Sequence, residues 1–117
     1  KMVKWISSDI RKFETNDRFE IWHDRALFHF LIKEDDIRKY VKLTGKYIKP
    51  GGYLIISTFS FEGPKKCSGL DIKQYSEESM KKTFGENFEH VRSLEEMHHT
   101  PFQTLQSFIW NVFRKLE

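Results

Sequence analysis

A histidine and an aspartate stand side by side at His23-Asp24, directly after the strand-like run Phe19-Glu20-Ile21-Trp22. Open α/β sheets place their ligands at the carboxyl ends of their strands. In that position a carboxylate can orient a cationic or hydroxyl substrate, and a histidine can take a proton near neutral pH. The competing reading is structural: Asp24 caps the short apolar helical stretch that follows, and His23 packs. His29 lies inside that stretch, where either a hydrogen-bonded structural histidine or a substrate contact is open to it. Arg25 suits an ion pair with a neighbouring acid as well as it suits an anionic substrate.

Other residues raise narrower questions. His98, His99 and Cys67 bring a metal to mind, but adjacent histidines lack the i, i+4 spacing of a helical site and one cysteine is a poor anchor. No metal is expected. His98 and Thr100 fall in the connection between the last two strand-like runs, from which they can reach a substrate mouth; the alternative is that Thr100-Pro101 only shapes a turn. Asp9 follows Ser7-Ser8 at the end of the short alternating run Val3-Lys4-Trp5-Ile6, a place for a turn-forming aspartate that bonds its own backbone.

The elements that must position these residues are legible from periodicity. Residues 19–22 read as a strand leading into a short helical stretch over 25–31, with Leu27, Phe28 and Leu31 on one face. Glu34-Asp35-Asp36 opens the clearest helix, acids in a first turn being favoured by the helix dipole. Ile37, Tyr40, Val41, Thr44 and Ile48 give it an apolar side, and Pro50-Gly51-Gly52 is expected to stop it. The near-continuous apolar run 53–59 suits an inner strand covered on both faces. Residues 60–75 read as a long irregular loop, on the ligand side and suited to a lid. Ser76 caps a helix that carries Met80 and Phe84 and ends at Gly85. Residues 88–97 and 107–115 read as two closing strands. The order is α/β with an antiparallel ending.

Composition limits the function classes. With 117 residues and no visible linker, the chain is expected to form a single domain over 1–117. Aromatic residues at 15% argue against disorder. The 20 basic and 17 acidic residues are mixed along the chain, and no basic stripe interleaved with aromatics marks a nucleic-acid groove. No apolar run approaches the ~18–20 residues that cross a bilayer, so no membrane association is expected. A single cysteine excludes an internal disulfide and fits a reducing compartment, with the cytoplasm as the default location.

The element order, with Pro50-Gly51-Gly52 feeding an apolar strand, resembles the second half of a class I S-adenosylmethionine-dependent methyltransferase. The string Trp22-His23-Asp24-Arg25-Ala26-Leu27-Phe28-His29-Phe30-Leu31 is similar to one carried by a bacterial subgroup of these enzymes. So are Gly63-Pro64-Lys65-Lys66-Cys67-Ser68-Gly69-Leu70 and the His98-x-Thr100-Pro101 segment. The resemblance implies a Rossmann-like sheet of order 3-2-1-4-5-7-6, of which this chain would hold strand 3 (residues 3–6) and strands 4 to 7, with strands 1 and 2 absent and the C-terminal pair antiparallel. The family's glycine-rich loop and ribose-binding acid would both lie before Lys1, and Glu20 stands where the family usually has Asp.

The resemblance further implies S-adenosylmethionine as cofactor and a small-molecule methyl acceptor. Asp9 would accept a hydrogen bond from the adenine amino group, and the Ile10 backbone N–H would meet a ring nitrogen. Trp22 and His23 would line the sulfonium side, His23 and Asp24 the catalytic edge, and His29, His98 and Thr100 the substrate. Methyl transfer is an in-line displacement that needs alignment and removal of a proton, so Cys67 is expected to be a bystander. Two other functions compete: a non-catalytic methyltransferase-like binding or scaffold protein, and a basic nucleic-acid-binding module. Without strands 1 and 2, strand 4 would be an exposed edge inviting self-association.

Overall fold

A computed structural model describes residues 17–25, 27–61, 66–67, 70–99 and 105–116. The expected strand over residues 3–6, together with Asp9, Ile10 and Thr100, lies outside the described residues. Strand β1 spans Phe19–Arg25 and leads to a 3-10 turn at Phe28–Phe30. Helix α1 covers Glu34–Tyr47 and passes directly into β2, Ile48–Phe59. Two short strands, β3 (Lys66–Cys67) and β4 (Leu70–Asp71), precede α2 at Glu77–Phe84; β5 (Phe88–His99) and β6 (Leu105–Lys115) close the chain.

The main sheet runs β1-β2-β6-β5, with β1 parallel to β2 and β6 antiparallel to both of its neighbours. Because side chains alternate across a strand, the two faces take different residues. Leu54, Ile56 and Phe113 lie on the face that α1 and α2 cover, in one core with Phe28, Tyr40, Tyr75, Met80 and Phe84. Each such side chain, fully buried, contributes on the order of 1.5–3 kcal/mol. The other face carries Ile21, His23 and Arg25 of β1, Tyr53, Ile55 and Ser57 of β2, and Trp110 and Val112 of β6. Neither described helix packs there.

Helix α1 begins with Glu34, Asp35 and Asp36 and buries Ile37, Tyr40, Thr44 and Tyr47. The helical stripe therefore ends on Tyr47, where Ile48 was expected. Ile48 instead turns extended, at φ −88 and ψ 127, and opens β2 opposite Phe19. Pro50-Gly51-Gly52 accordingly lies inside a strand and does not stop the helix. Its backbone forms an excursion between the Phe19↔Ile48 and Ile21↔Tyr53 pairs, where the register shifts. Gly51 has φ +81, and a Cβ at Gly52 would sit 2.7 Å from the Glu20 carbonyl oxygen, so both glycines are required by the bulge.

Three other expectations are corrected. The helical stretch over 25–31 is only a 3-10 turn, because β1 continues to Arg25, and Leu27 points outward at 67% exposure. The region 60–75 is not wholly irregular: β3 and β4 pair antiparallel within it. The terminal strands are longer than expected, reaching His99 and starting at Leu105. Helix α2 follows the expectation, with Ser76 and Ser79 exchanging the reciprocal bonds of a capping box.

Candidate functional site

His23 and Asp24 sit near the carboxyl end of β1, and the strand's alternation sends them to opposite faces. Asp24 turns into the helix-covered core. Its Oδ1 accepts from the backbone N–H groups of Leu27 (2.8 Å) and Phe28 (3.4 Å), and its Oδ2 accepts from the Tyr40 hydroxyl. Tyr40 in turn accepts from Trp22 Nε1–H at 3.2 Å. Burial raises the Asp24 carboxyl above its ordinary range, while the Tyr40 hydroxyl, the two N–H groups and nearby His23 oppose that rise. Tyr40 is pushed well up by its own burial and by the Asp24 charge. Asp24 was expected at the catalytic edge. In this structure the carboxylate caps the 3-10 turn and clasps α1 to β1, on the face opposite His23.

Trp22 belongs to the same network. Its indole meets the Tyr40 ring edge-on at 6.2 Å and the Phe19 ring at 6.1 Å, on the helix-covered face. The side chain expected to line the sulfonium is thus engaged with α1, on the face opposite His23.

His29 is fully buried. Its Nδ1 accepts from the Phe59 N–H at 3.0 Å, its carbonyl accepts from the Lys73 N–H at 2.8 Å, and its ring packs on Phe59 at 4.7 Å. Since Nδ1 accepts, the proton of the neutral ring resides on Nε2, which has no hydrogen-bond partner. Burial lowers its pKa to about 4. Of the two roles open to His29, this geometry fits the structural one: it ties the end of β2 to the segment before α2. The main chain of His98 pairs with Gln106 at the far end of β5.

His23 has the opposite setting. It is exposed on the face that neither described helix covers, with its ring stacked on Trp110 at 5.7 Å and 24°. One residue on, Arg25, Ser57 and Trp110 form a single row across β1, β2 and β6. With Phe108, Gln106 and Glu96 they line an open cavity of about 130 Å³ at the carboxyl ends of β1 and β2. Trp110 Nε1–H donates to Glu96 Oε1 at 3.4 Å. Ser57 Oγ is buried without a partner. The location agrees with the general rule for open sheets, but of the lining residues only Arg25 was singled out from sequence. The signals were slight: a serine inside an apolar strand, and Gln106, Phe108 and Trp110 at two-residue spacing.

No protein-family model matches the sequence, and neither does any curated protein. Solved structures do. The N-methyltransferase NodS of Bradyrhizobium japonicum WM9 superposes with a TM-score of 0.73 at 17% identity, covering 97% of this chain and 60% of its own. A SAM-dependent methyltransferase of Methanosarcina mazei gives 0.73 at 12% identity, over 93% of this chain and 65% of its own. The 1,6-didemethyltoxoflavin-N1-methyltransferase of Burkholderia thailandensis, solved with bound 1,6-didemethyltoxoflavin and S-adenosylhomocysteine, gives 0.72 at 17%, over 96% and 50%. The chain thus spans half to two-thirds of the length of these neighbours, and over that length it shares the fold of S-adenosylmethionine-dependent methyltransferases.

Proposed function

We propose that this chain forms the acceptor-side part of an S-adenosylmethionine-dependent methyltransferase domain, acting on a small molecule. The observation that carries the reading is a cavity and an exposed histidine together at the carboxyl ends of the parallel pair β1–β2, on a sheet with the methyltransferase fold. In this reading β1, β2, β6 and β5 take the places of strands 4, 5, 7 and 6 of a sheet ordered 3-2-1-4-5-7-6. Asp9 and Ile10 would supply the adenine contacts.

The described residues do not make a complete cofactor site. A cavity of about 130 Å³ admits a single ring, whereas S-adenosylmethionine is a nucleoside joined to an amino acid. The cofactor's contribution is the methyl group it donates. The residues of this chain do the remaining work: the cavity walls hold the acceptor, and His23, fixed against Trp110, takes the proton that the acceptor loses. Asp24, Tyr40 and Trp22 hold the end of β1 in place beneath it.

Calorimetric titration of the complete protein with S-adenosylmethionine and S-adenosylhomocysteine tests the reading, and saturable binding of both is expected. With an acceptor in hand, His23→Ala lowers turnover by about 10²–10⁴-fold, the range for loss of a general base, and leaves the melting temperature unchanged. Failure of the complete protein to bind either compound would favour the non-catalytic alternative.

A further inference from the structure

The cavity holds polar groups that the fold does not use. The Arg25 guanidinium, beside Ser57 in the same row, makes no ion pair or hydrogen bond among the described residues. Glu96 is held to the wall by the Trp110 indole and keeps acceptor capacity to spare. Phe108 and Trp110 supply flat apolar surface.

Size and charge together define an occupant. The volume of about 130 Å³ is close to that of a cavity of roughly 150 Å³ that takes benzene, so one six-membered ring fits. An anion drawn to Arg25 would share this small space with the Glu96 carboxylate, and a cation drawn to Glu96 would share it with Arg25. Like charges confined to one ring's width repel strongly. A neutral ring that offers an acceptor and a donor along one edge satisfies both residues without that repulsion.

We infer that this cavity binds a neutral planar heterocycle with an amide-type –NH–C(=O)– edge. Its carbonyl oxygen accepts from Arg25, its N–H donates to Glu96, and its face lies on Phe108 and Trp110. Calling this ring the methyl acceptor rests on the proposed function; the binding itself does not.

The test uses the complete protein with isotope-labelled tryptophan indoles, Trp110→Phe identifying the Trp110 signal. Uracil and pyridone are the neutral probes, benzoate and benzylamine the charged ones. The neutral rings are expected to shift the Trp110 indole resonance saturably. Arg25→Gln should weaken uracil by about tenfold, one lost hydrogen bond, without lowering the melting temperature, because the guanidinium has no partner among the described residues. Glu96→Gln should admit benzoate. Binding of either charged probe to the unaltered protein as strongly as uracil would overturn the inference, as would silence of both neutral rings. Uracil binding in a protein that fails to bind S-adenosylmethionine would keep the site and sink only the methyl-transfer reading.

Discussion

The hydroxyl of Tyr40, in the middle of α1, donates to the carboxylate of Asp24 at the end of β1, and both residues are buried. A helix that reaches a strand end through a charged hydrogen bond fixes where that end points. Here it fixes the backbone from which His23 and Arg25 project to the opposite face. Asp24 also caps the 3-10 turn that carries His29, so one carboxylate organises both neighbours of the candidate site.

Asp24→Ala should therefore act on stability. It leaves the buried Tyr40 hydroxyl without its acceptor and two N–H groups without a cap, at a cost of about 2–4 kcal/mol. Asp24→Asn keeps an oxygen for the cap and should lose only about half as much. Chemical denaturation of the single variants, of Tyr40→Phe and of the Asp24→Ala/Tyr40→Phe double variant measures the coupling, expected at about 1–3 kcal/mol. Additive effects would mean that the two groups do not interact as described.

His29 sets a pH dependence whose sign follows from its lowered pKa. The neutral ring is favoured in the fold, with a pKa of about 4 against 6.5 for the free side chain. Between those values the unfolded chain binds a proton that the folded chain does not, so stability falls as pH drops from about 6.5 to about 4 and levels off below. The loss is on the order of 2 kcal/mol, the raw shift being discounted for solvent screening. Asp24 works in the opposite sense: its carboxyl is raised, so acid protonates it more readily in the fold than in the unfolded chain. His29→Gln should remove the fall in stability between about pH 6.5 and 4, leaving the opposite-signed contribution of Asp24. A pH–stability profile unchanged by that substitution would refute the assignment.

These two residues show how much of the site could be read from sequence. Local periodicity and the apolar run 53–59 located α1, α2 and the four strands of the main sheet, though not β3 and β4. His23 and Asp24 were placed correctly at a strand end. Which of them shares the sheet face of the cavity was not readable, since adjacent strand residues point to opposite sides and only the pairing of Asp24 with Ile56, under the helices, decides between them. The cavity was hidden for the same reason. Arg25, Ser57, Trp110 and Glu96 come from four strands and meet only through register. Ile48 escaped as a strand residue because it also satisfies the helical spacing of Tyr40 and Thr44.

The bulge in β2 makes a prediction that separates two effects of glycine. A Cβ at Gly52 would lie 2.7 Å from the Glu20 carbonyl oxygen and 2.9 Å from the Lys49 carbonyl oxygen, both backbone atoms that cannot swing aside. Gly52→Ala must therefore push β1 from β2, at about 1–3 kcal/mol. A Cβ at Gly51 meets only the Arg114 side chain at 3.6 Å, so Gly51→Ala costs only the strain of its positive φ, about 1–2 kcal/mol. Gly51→Asn, which tolerates that conformation, should recover most of it. Equal costs for Asn and Ala at position 51 would show that φ is not what matters there.

The last prediction concerns the sheet face that neither described helix covers. Ile21, Tyr53 and Leu94 are 47%, 40% and 56% exposed on it, with Ile55, Trp110 and Val112 half-buried between them. Contiguous apolar surface of this kind is uncommon on a stable monomer. Among the described residues, moreover, no strand pairs with the outer side of β1. The 117-residue chain on its own should therefore associate with copies of itself in a concentration-dependent way. It should also fail to bind S-adenosylmethionine tightly, since the proposed reading places the glycine-rich loop and the ribose-binding acid outside it. Ile21→Lys with Leu94→Lys puts charge on two exposed positions of that face without touching the core. The double variant should be monomeric by sedimentation at concentrations where the unaltered chain is not, with the same circular dichroism. Association that persists in the variant would move the contact to the β1 edge, where backbone pairing ignores side chains. A stable monomer of the unaltered chain that binds the cofactor with micromolar affinity would refute both expectations, because the uncovered face would then be tolerated and the site complete without further sequence.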